Sequence, residues 1–225
     1  MGNKITYKET EQIKPQRVKG IVREYTEAIL IALVLALVIR TFVIQAFKIP
    51  SGSMKNTLLI GDHILVSKFS YGIHIPNELP FTNIKLFSDI RFFASTPERG
   101  DIIVFRYPRD ESRDFIKRVI GLPGDKVQIA RQKVYINGHL YNDSFARHTE
   151  RPGDEPYPPR DDFGPTIVPD GHLFMLGDNR ENSQDSRFWG FLDVEKVKGR
   201  AILIYWSWNG LENWVRTERF GQFLQ

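Results

Sequence analysis

From Ala28 to Ile39 the chain sets twelve apolar residues in an unbroken row. As a helix that row measures roughly 18 Å, short of the ~30 Å hydrocarbon core of a bilayer. Extending it to Phe47 supplies the length but takes in Arg40, Thr41 and Gln45. Thirteen strongly apolar residues in this window are worth about 0.4 kcal/mol each, roughly 5 in all, against ~3 for a central arginine. Arg40 lies off-centre, where its side chain can reach headgroups, so insertion wins. A buried core helix would carry a polar stripe, which Ala28–Ile39 lacks. A cleaved leader would end in a small-x-small site, and Phe42-Val43-Ile44-Gln45-Ala46-Phe47 offers none. The pattern therefore predicts one transmembrane helix over residues 25–47. Ahead of it, Lys4, Lys8, Lys14, Arg17, Lys19 and Arg23 outweigh Glu9, Glu11 and Glu24. That bias keeps residues 1–24 cytoplasmic and sends residues 48–225 to the periplasmic or extracellular side.

Beyond Lys48 the pattern shifts to short β-type runs separated by Gly, Pro and Asn. His63–Val66, Ile102–Tyr107, Asp114–Ile120, Val127–Ala130, Lys133–Ile136, Leu173–Leu176 and Ala201–Trp206 are predicted strands. Arg131-Gln132 and Asn137-Gly138 are predicted turns. Regular strand spacing without helical periodicity predicts a mainly β domain, an antiparallel barrel or sandwich. Residues 142–169, rich in Pro, Asp and Arg, are expected to form a long surface loop. Trp206, Trp208 and Trp214 suit either headgroup level or the packing of the C-terminal strands.

Composition removes several classes of function. With 225 residues and no cysteine, disulfides and thiolate metal sites are excluded. About 180 residues can bury a core without such staples. His63, His74, His139, His148 and His172 show no HxxxH or HExxH spacing, so a zinc site or a histidine triad has no support. The net charge is +4 with basic residues dispersed, and no basic run interleaves with aromatics as a nucleic-acid face would.

The chemistry starts at Ser53, in Ile49-Pro50-Ser51-Gly52-Ser53-Met54 just past the apolar run. Small hydroxyl residues ahead of a helix are commonly caps, and a lone strand lysine usually points to solvent. Context raises both readings. In a strand over Phe115-Ile116-Lys117-Arg118-Val119, Phe115, Lys117 and Val119 share a face, which suits a desolvated amine. Lysine activates a serine once it is held uncharged. That requires a fall from about 10.4 to about 7–8, some 3–4 kcal/mol, which burial can supply.

Together these segments resemble bacterial type I signal peptidases of the Ser–Lys kind. The Ile49–Met54 stretch, continued by Thr57-Leu58-Leu59-Ile60-Gly61-Asp62, resembles the family's nucleophile segment. Arg99–Phe105 and Ile116–Asp125 are similar to its central and lysine-bearing boxes, and Gly177–Arg187 to its last. Four boxes in order directly after the anchor make the resemblance specific.

The resemblance implies a membrane-anchored serine endopeptidase that needs no cofactor and no metal. Its substrates would be the signal peptides of secreted preproteins, cleaved after small residues in an Ala-x-Ala pattern. Ser53 would be the nucleophile and Lys117 the general base. The Ser51 hydroxyl and Ser53 N–H would form the oxyanion hole, and Ser183 would hydrogen-bond the lysine amine. Arg118 would pair with Asp178, and Asp185 with Arg187, as scaffold. Substrate pockets would be walled by Phe47, Ile49, Met54, Leu58, Ile64, Val104, Phe115 and Ile116, each of which also reads as ordinary core. Membrane lipid and the protein-export translocon would be neighbours, in a bacterial inner membrane crossed once.

Asn56 departs from the family, which usually has proline there, and is expected to loosen that turn. Rival readings are a self-cleaving Ser–Lys repressor-type protease and a catalytically silent membrane-tethered scaffold. The anchor argues against the first, and the presence of Ser53, Lys117 and Ser183 against the second.

Overall fold

A computed structural model describes residues 18–75, 90–92, 95–149, 159–210 and 212–224. The chain divides after Val38 into two units. The first contains helix α1, Val18–Val38, in which Arg23 pairs with Glu27 one turn on at 2.7 Å. Its apolar side chains, among them Ile29, Ile31, Leu33 and Val34, are exposed.

The predicted helix over 25–47 needs correcting. Ile39–Val43 form a π-helical turn, and Ile44–Lys48 are strand β1, paired with β2 (Asp62–Ser67) from Ile44↔Ser67 to Lys48↔His63. Among the described residues no helix is long and apolar enough to cross a membrane. The first turns of α1 spend their length on Arg23, Glu24 and Glu27, and Ile44–Phe47 gain a strand partner that hydropathy cannot register.

The second unit is mainly antiparallel β. After the short pair β3 (Ile73–Ile75) and β4 (Ile90–Phe92) come β5 (Ile102–Tyr107) and β6 (Asp110–Gly121). A second sheet holds β7 (Lys126–Ala130), β8 (Lys133–Ile136), β9 (His139–Leu140) and β10 (Phe163–Ile167), in the order β10-β7-β8-β9. The chain continues through β11 (His172–Leu176), the single-turn helix α2 (Ser186–Trp189), β12 (Leu192–Asp193) and β13 (Val197–Asn209). It closes with β14 (Trp214–Val215) and β15 (Gln222–Phe223), both paired with β13.

The larger sheet runs β1-β2-β13-β5-β6-β11-β12 and stays open, with β1 and β12 at its ends. No barrel closes. Alternation along each strand predicts which face is buried, and the tilt and stagger that closure demands leave no trace in it. Both turns of the small sheet take left-handed backbone, with φ of 49° and 66° at Arg131 and Gln132 and 54° and 84° at Asn137 and Gly138. Those are the values a two-residue hairpin matched to strand twist requires.

The stretch 142–169 is not loop throughout. Residues 150–158 lie outside the described residues, Arg147 bridges Asn179, and Phe163–Ile167 pair with β7. Its prolines and aspartates masked a strand that pairs at a sheet edge.

Strand β6 matters most for the site. Its first half is exposed and its last six residues, Ile116–Gly121, are buried between β5 and β11. The first of them, Ile116, joins one core cluster with Ile49, Met54, Leu58, Ile64 and Val104.

Candidate active site

Residues 49–61 form a loop pinched at its base. Ile49 N–H donates to the Asp62 carbonyl at 2.8 Å and Gly61 N–H to the Ile49 carbonyl at 3.0 Å. Gly61 has a φ of 93°, and a Cβ there would lie 2.0 Å from the Trp208 carbonyl oxygen, so only glycine fits. Within the loop, the Thr57 and Leu58 N–H groups both donate to the Met54 carbonyl, at 3.1 and 2.8 Å. Asn56 holds this turn with a φ of 106°. Asparagine tolerates a positive φ that a proline ring, fixed near −65°, cannot adopt.

The loop brings Ser53 to β6. Lys117 Nζ stands 2.8 Å from Ser53 Oγ, across 64 residues of sequence, and donates to the Ile116 carbonyl at 2.9 Å. Both residues are buried, Ser53 at 8% and Lys117 at 3% exposure. Burial lowers the amine from its ordinary value to about 8, against the opposing pull of the Asp185 and Asp178 carboxylates. A desolvated amine disfavours its charged form, and more distant carboxylates recover only part of that cost. An amine so tuned can take a proton from the hydroxyl beside it near neutral pH.

Around this pair the side chains named from the sequence fall into distinct places. Arg118, on the opposite face of β6, meets Asp178 through two parallel hydrogen bonds of 2.9 and 2.8 Å, and both side chains are wholly buried. Asp178 also accepts from the Thr57 hydroxyl at 2.5 Å, so the pair reaches the serine loop. Asp185 holds Arg187 at 2.8 Å twice and accepts from the Gly177 N–H at 3.1 Å. Ser51 is exposed.

Ser183 differs from the expectation. Its hydroxyl is buried and has no hydrogen-bond partner among the described residues, and the Lys117 amine donates to its neighbour's carbonyl instead. Spacing along a chain cannot specify which of two nearby acceptors an amine on a flexible stem selects. Phe115 also lies apart from the other pocket candidates. Phe47, Ile49, Met54, Leu58, Ile64, Val104 and Ile116 share one cluster, whereas Phe115 packs with Phe105, Val119 and Trp189 and stacks on Tyr107 at 4.2 Å. Strand alternation puts Phe115 on the other side of β6 from Ile116, the side of Lys117, whose Nζ lies 5.1 Å from the Phe115 ring.

Residues that sequence reasoning did not single out complete the site. A Cβ at Gly177 would lie 2.5 Å from the Ser53 carbonyl oxygen and 2.2 Å from Ser183 Oγ. The glycine permits the close approach of β11 to the serine loop. Its sequence signal was its place at the head of the Gly177–Arg187 segment, directly before Asp178. Gly177→Ala is expected to lower kcat/KM by about 100-fold, because the serine loop must back away from Lys117. Activity within twofold of wild type in a peptide-cleavage assay would refute this. Asp62, wholly buried, accepts from Arg219 at 2.7 Å, from the Ser207 hydroxyl at 2.6 Å and from the Leu59 N–H at 2.8 Å. It fastens the loop to the C-terminal segment, a contact spanning 157 residues.

A family model described as signal peptidase, peptidase S26, matches residues 22–206. The chain belongs to this family. Curated relatives include signal peptidase I of Pseudomonas fluorescens, 39% identical over 82% of this chain and 72% of that protein. Signal peptidase I of Pseudomonas aeruginosa is 36% identical with the same coverages. The probable signal peptidase I-2 of a Synechocystis strain is 36% identical over 88% of this chain and 80% of its own. A solved signal peptidase I from Enterococcus faecalis V583 is 34% identical and covers 47% of this chain and 97% of its own, with a TM-score of 0.41. Members of the family are peptidases, and this chain is a serine endopeptidase of the signal peptidase I kind.

Proposed function

We propose that the protein removes N-terminal signal peptides from translocated preproteins, cleaving after small residues, with Ser53 as nucleophile and Lys117 as general base. The observation that carries this reading is the 2.8 Å contact between a buried amine and a buried serine hydroxyl. Ser53 Oγ attacks the scissile carbonyl carbon as its proton passes to Lys117 Nζ. The oxygen that becomes negative faces the Ser53 N–H and the Ser51 hydroxyl, where one lost donor typically costs ~3–4 kcal/mol of transition-state stabilisation. The C–N bond then breaks, and the leaving amine takes the proton from Lys117. Water, deprotonated by the same amine, hydrolyses the acyl ester and frees Ser53.

The apolar side chains of Phe47, Ile49, Met54, Leu58, Ile64, Val104 and Ile116 favour a shallow, dry recess beside Ser53 that rejects bulky residues by clash. An extended substrate would send alternate side chains into it, hence an Ala-x-Ala preference. The exposed apolar half of α1 and the exposed Trp206, Trp208 and Trp214 favour lipid as their cover. On this reading the N-terminus is cytoplasmic, the apolar part of α1 anchors the chain in the plasma membrane, and the β domain, which begins with β1 at Ile44, works outside, near the translocon. Membranes washed with alkaline carbonate should retain the full chain; its release into the supernatant would refute the anchor.

Cleavage should rise with pH along an alkaline limb centred near 8, because only the uncharged amine accepts the proton. One unit below that midpoint, kcat/KM should be roughly tenfold lower. A midpoint in mild acid would contradict the assignment of Lys117. The function is tested by incubating detergent-solubilised protein with a preprotein and sequencing the new N-terminus. Cleavage after a small residue that disappears in Ser53→Ala supports the reading. No cleavage by the wild type, or unchanged cleavage by the variant, overturns it.

A further inference from the structure

The Ser53 N–H has no hydrogen-bond partner among the described residues, although the carbonyls on either side of it, of Gly52 and Ser53, are both engaged. Two of those engagements come from one residue. Asn179 donates its backbone N–H to the Ser53 carbonyl at 3.0 Å and its side-chain Nδ2 to the Gly52 carbonyl at 2.9 Å. These carbonyls belong to the two peptide planes that meet at the Ser53 Cα. Pinning both fixes the φ and ψ of Ser53 and with them the direction of its side chain. The Gly52–Ser53 peptide is trans, so its N–H points directly away from the carbonyl that Asn179 holds.

We infer that Asn179 is a positioning residue for the oxyanion hole, aiming and polarising the Ser53 N–H through the Gly52 carbonyl. A hydrogen bond accepted by an amide oxygen draws density from the amide nitrogen and makes its N–H a stronger donor, and in a dry site the effect is larger. The Gly52 carbonyl receives two such bonds, the second from the Lys55 N–H at 3.0 Å. Asn179 is itself nearly sealed, at 4% exposure, and its Oδ1 is buried without a partner. An unsatisfied buried oxygen costs free energy that a purely structural tie would avoid. The amide orientation follows from its partner: Oδ1 turned toward the Gly52 carbonyl would set two acceptors against each other. The residue lies directly after Asp178, so the Arg118–Asp178 pair anchors the element that presents it.

The inference rests on the proposed peptidase reading, and the test separates the two. Asn179→Ala is compared with wild type for kcat, KM, the midpoint of the alkaline limb and affinity for an Ala-x-alaninal peptide aldehyde. The Ser53 oxygen adds to the aldehyde carbon as the carbonyl π bond breaks and the hydroxyl proton passes to Lys117 Nζ, leaving a hemiacetal oxygen where the oxyanion forms. The expected result is a fall in kcat of about tenfold, less than the 10²–10³ of deleting a donor outright. KM and the midpoint should stay put, and aldehyde affinity should fall by the same factor as kcat. Unchanged kcat, a displaced midpoint, or a rise in KM alone would each overturn the inference. Should Asn179→Ala fail to fold, Asn179→Asp keeps the size and exchanges the donor for a carboxylate oxygen that cannot donate to the Gly52 carbonyl when ionised; measured on its own pH plateau, wild-type kcat in that variant overturns it too. If the wild type neither cleaves preprotein nor binds the aldehyde, the peptidase reading itself fails. If it does both and the variants match it, only the role of Asn179 is lost.

Discussion

Replacing Lys117 with methionine is expected to lower kcat by at least about 10³-fold, the scale on which a positioned general base acts, while the protein stays folded. Among the described residues the amine is the only titratable group within hydrogen-bonding distance of Ser53 Oγ, so none of them inherits the proton as a second base. Methionine matches the length of the stem and fills the same dry space. The substitution should also raise stability at neutral pH. Below about pH 8 the amine is protonated in both the folded and the unfolded chain, and the folded state carries the full cost of a buried charge. Between about 8 and the ordinary lysine value only the unfolded chain holds the proton, so wild-type stability climbs with pH over that window. Lys117→Met removes that dependence. Preprotein cleavage and urea midpoints at pH 6.5 and 9 read both effects. Residual activity above a tenth of wild type would end the assignment of the base.

The second large effect concerns the fold. Arg118→Ala should destabilise the protein by about 3–5 kcal/mol, because it strands a buried carboxylate. Asp178 would keep the Thr57 hydroxyl but lose both guanidinium bonds. Arg118 also donates to the Gly100 carbonyl at 2.7 Å and stacks over the Phe145 ring at 3.7 Å, so alanine opens a void as well. For a chain of this size the melting temperature should drop by about 10 °C. Pairing Arg118→Met with Asp178→Leu should restore most of the loss, since an ion pair replaced by apolar groups leaves no orphan charge. A single-variant loss below about 1 kcal/mol would show that water reaches the pair.

Much of this molecule was legible in one dimension. Strands such as Ile102–Tyr107 and Lys133–Ile136 announce themselves because a half-buried strand must alternate and a tight hairpin needs residues that tolerate left-handed backbone. Ser53 and Lys117 stood out as candidates because the segments carrying them resemble a family, and because an amine flanked by Phe and Val invites burial. The unbroken apolar run was equally plain, but its reach was not. Hydropathy has no register, so it could not see that Ile44–Lys48 would find a partner in β2. The strand at Phe163–Ile167 was hidden for the converse reason, since a chain rich in proline can still pair at an edge.

Composition and pattern by themselves determined a cysteine-free, mainly β chain with an apolar N-terminal run and a short inventory of reactive groups. Tertiary structure alone decided which of those groups meet. The open sheet, the approach of Gly177 to the Ser53 carbonyl, the grip of Asn179 on two peptide planes and the Asp62–Arg219 fastening all join residues far apart in sequence. The physical reason is range. Propensity and periodicity are set by neighbours within a few positions, whereas a desolvated amine, an aimed N–H and a forbidden Cβ exist only once distant strands have packed.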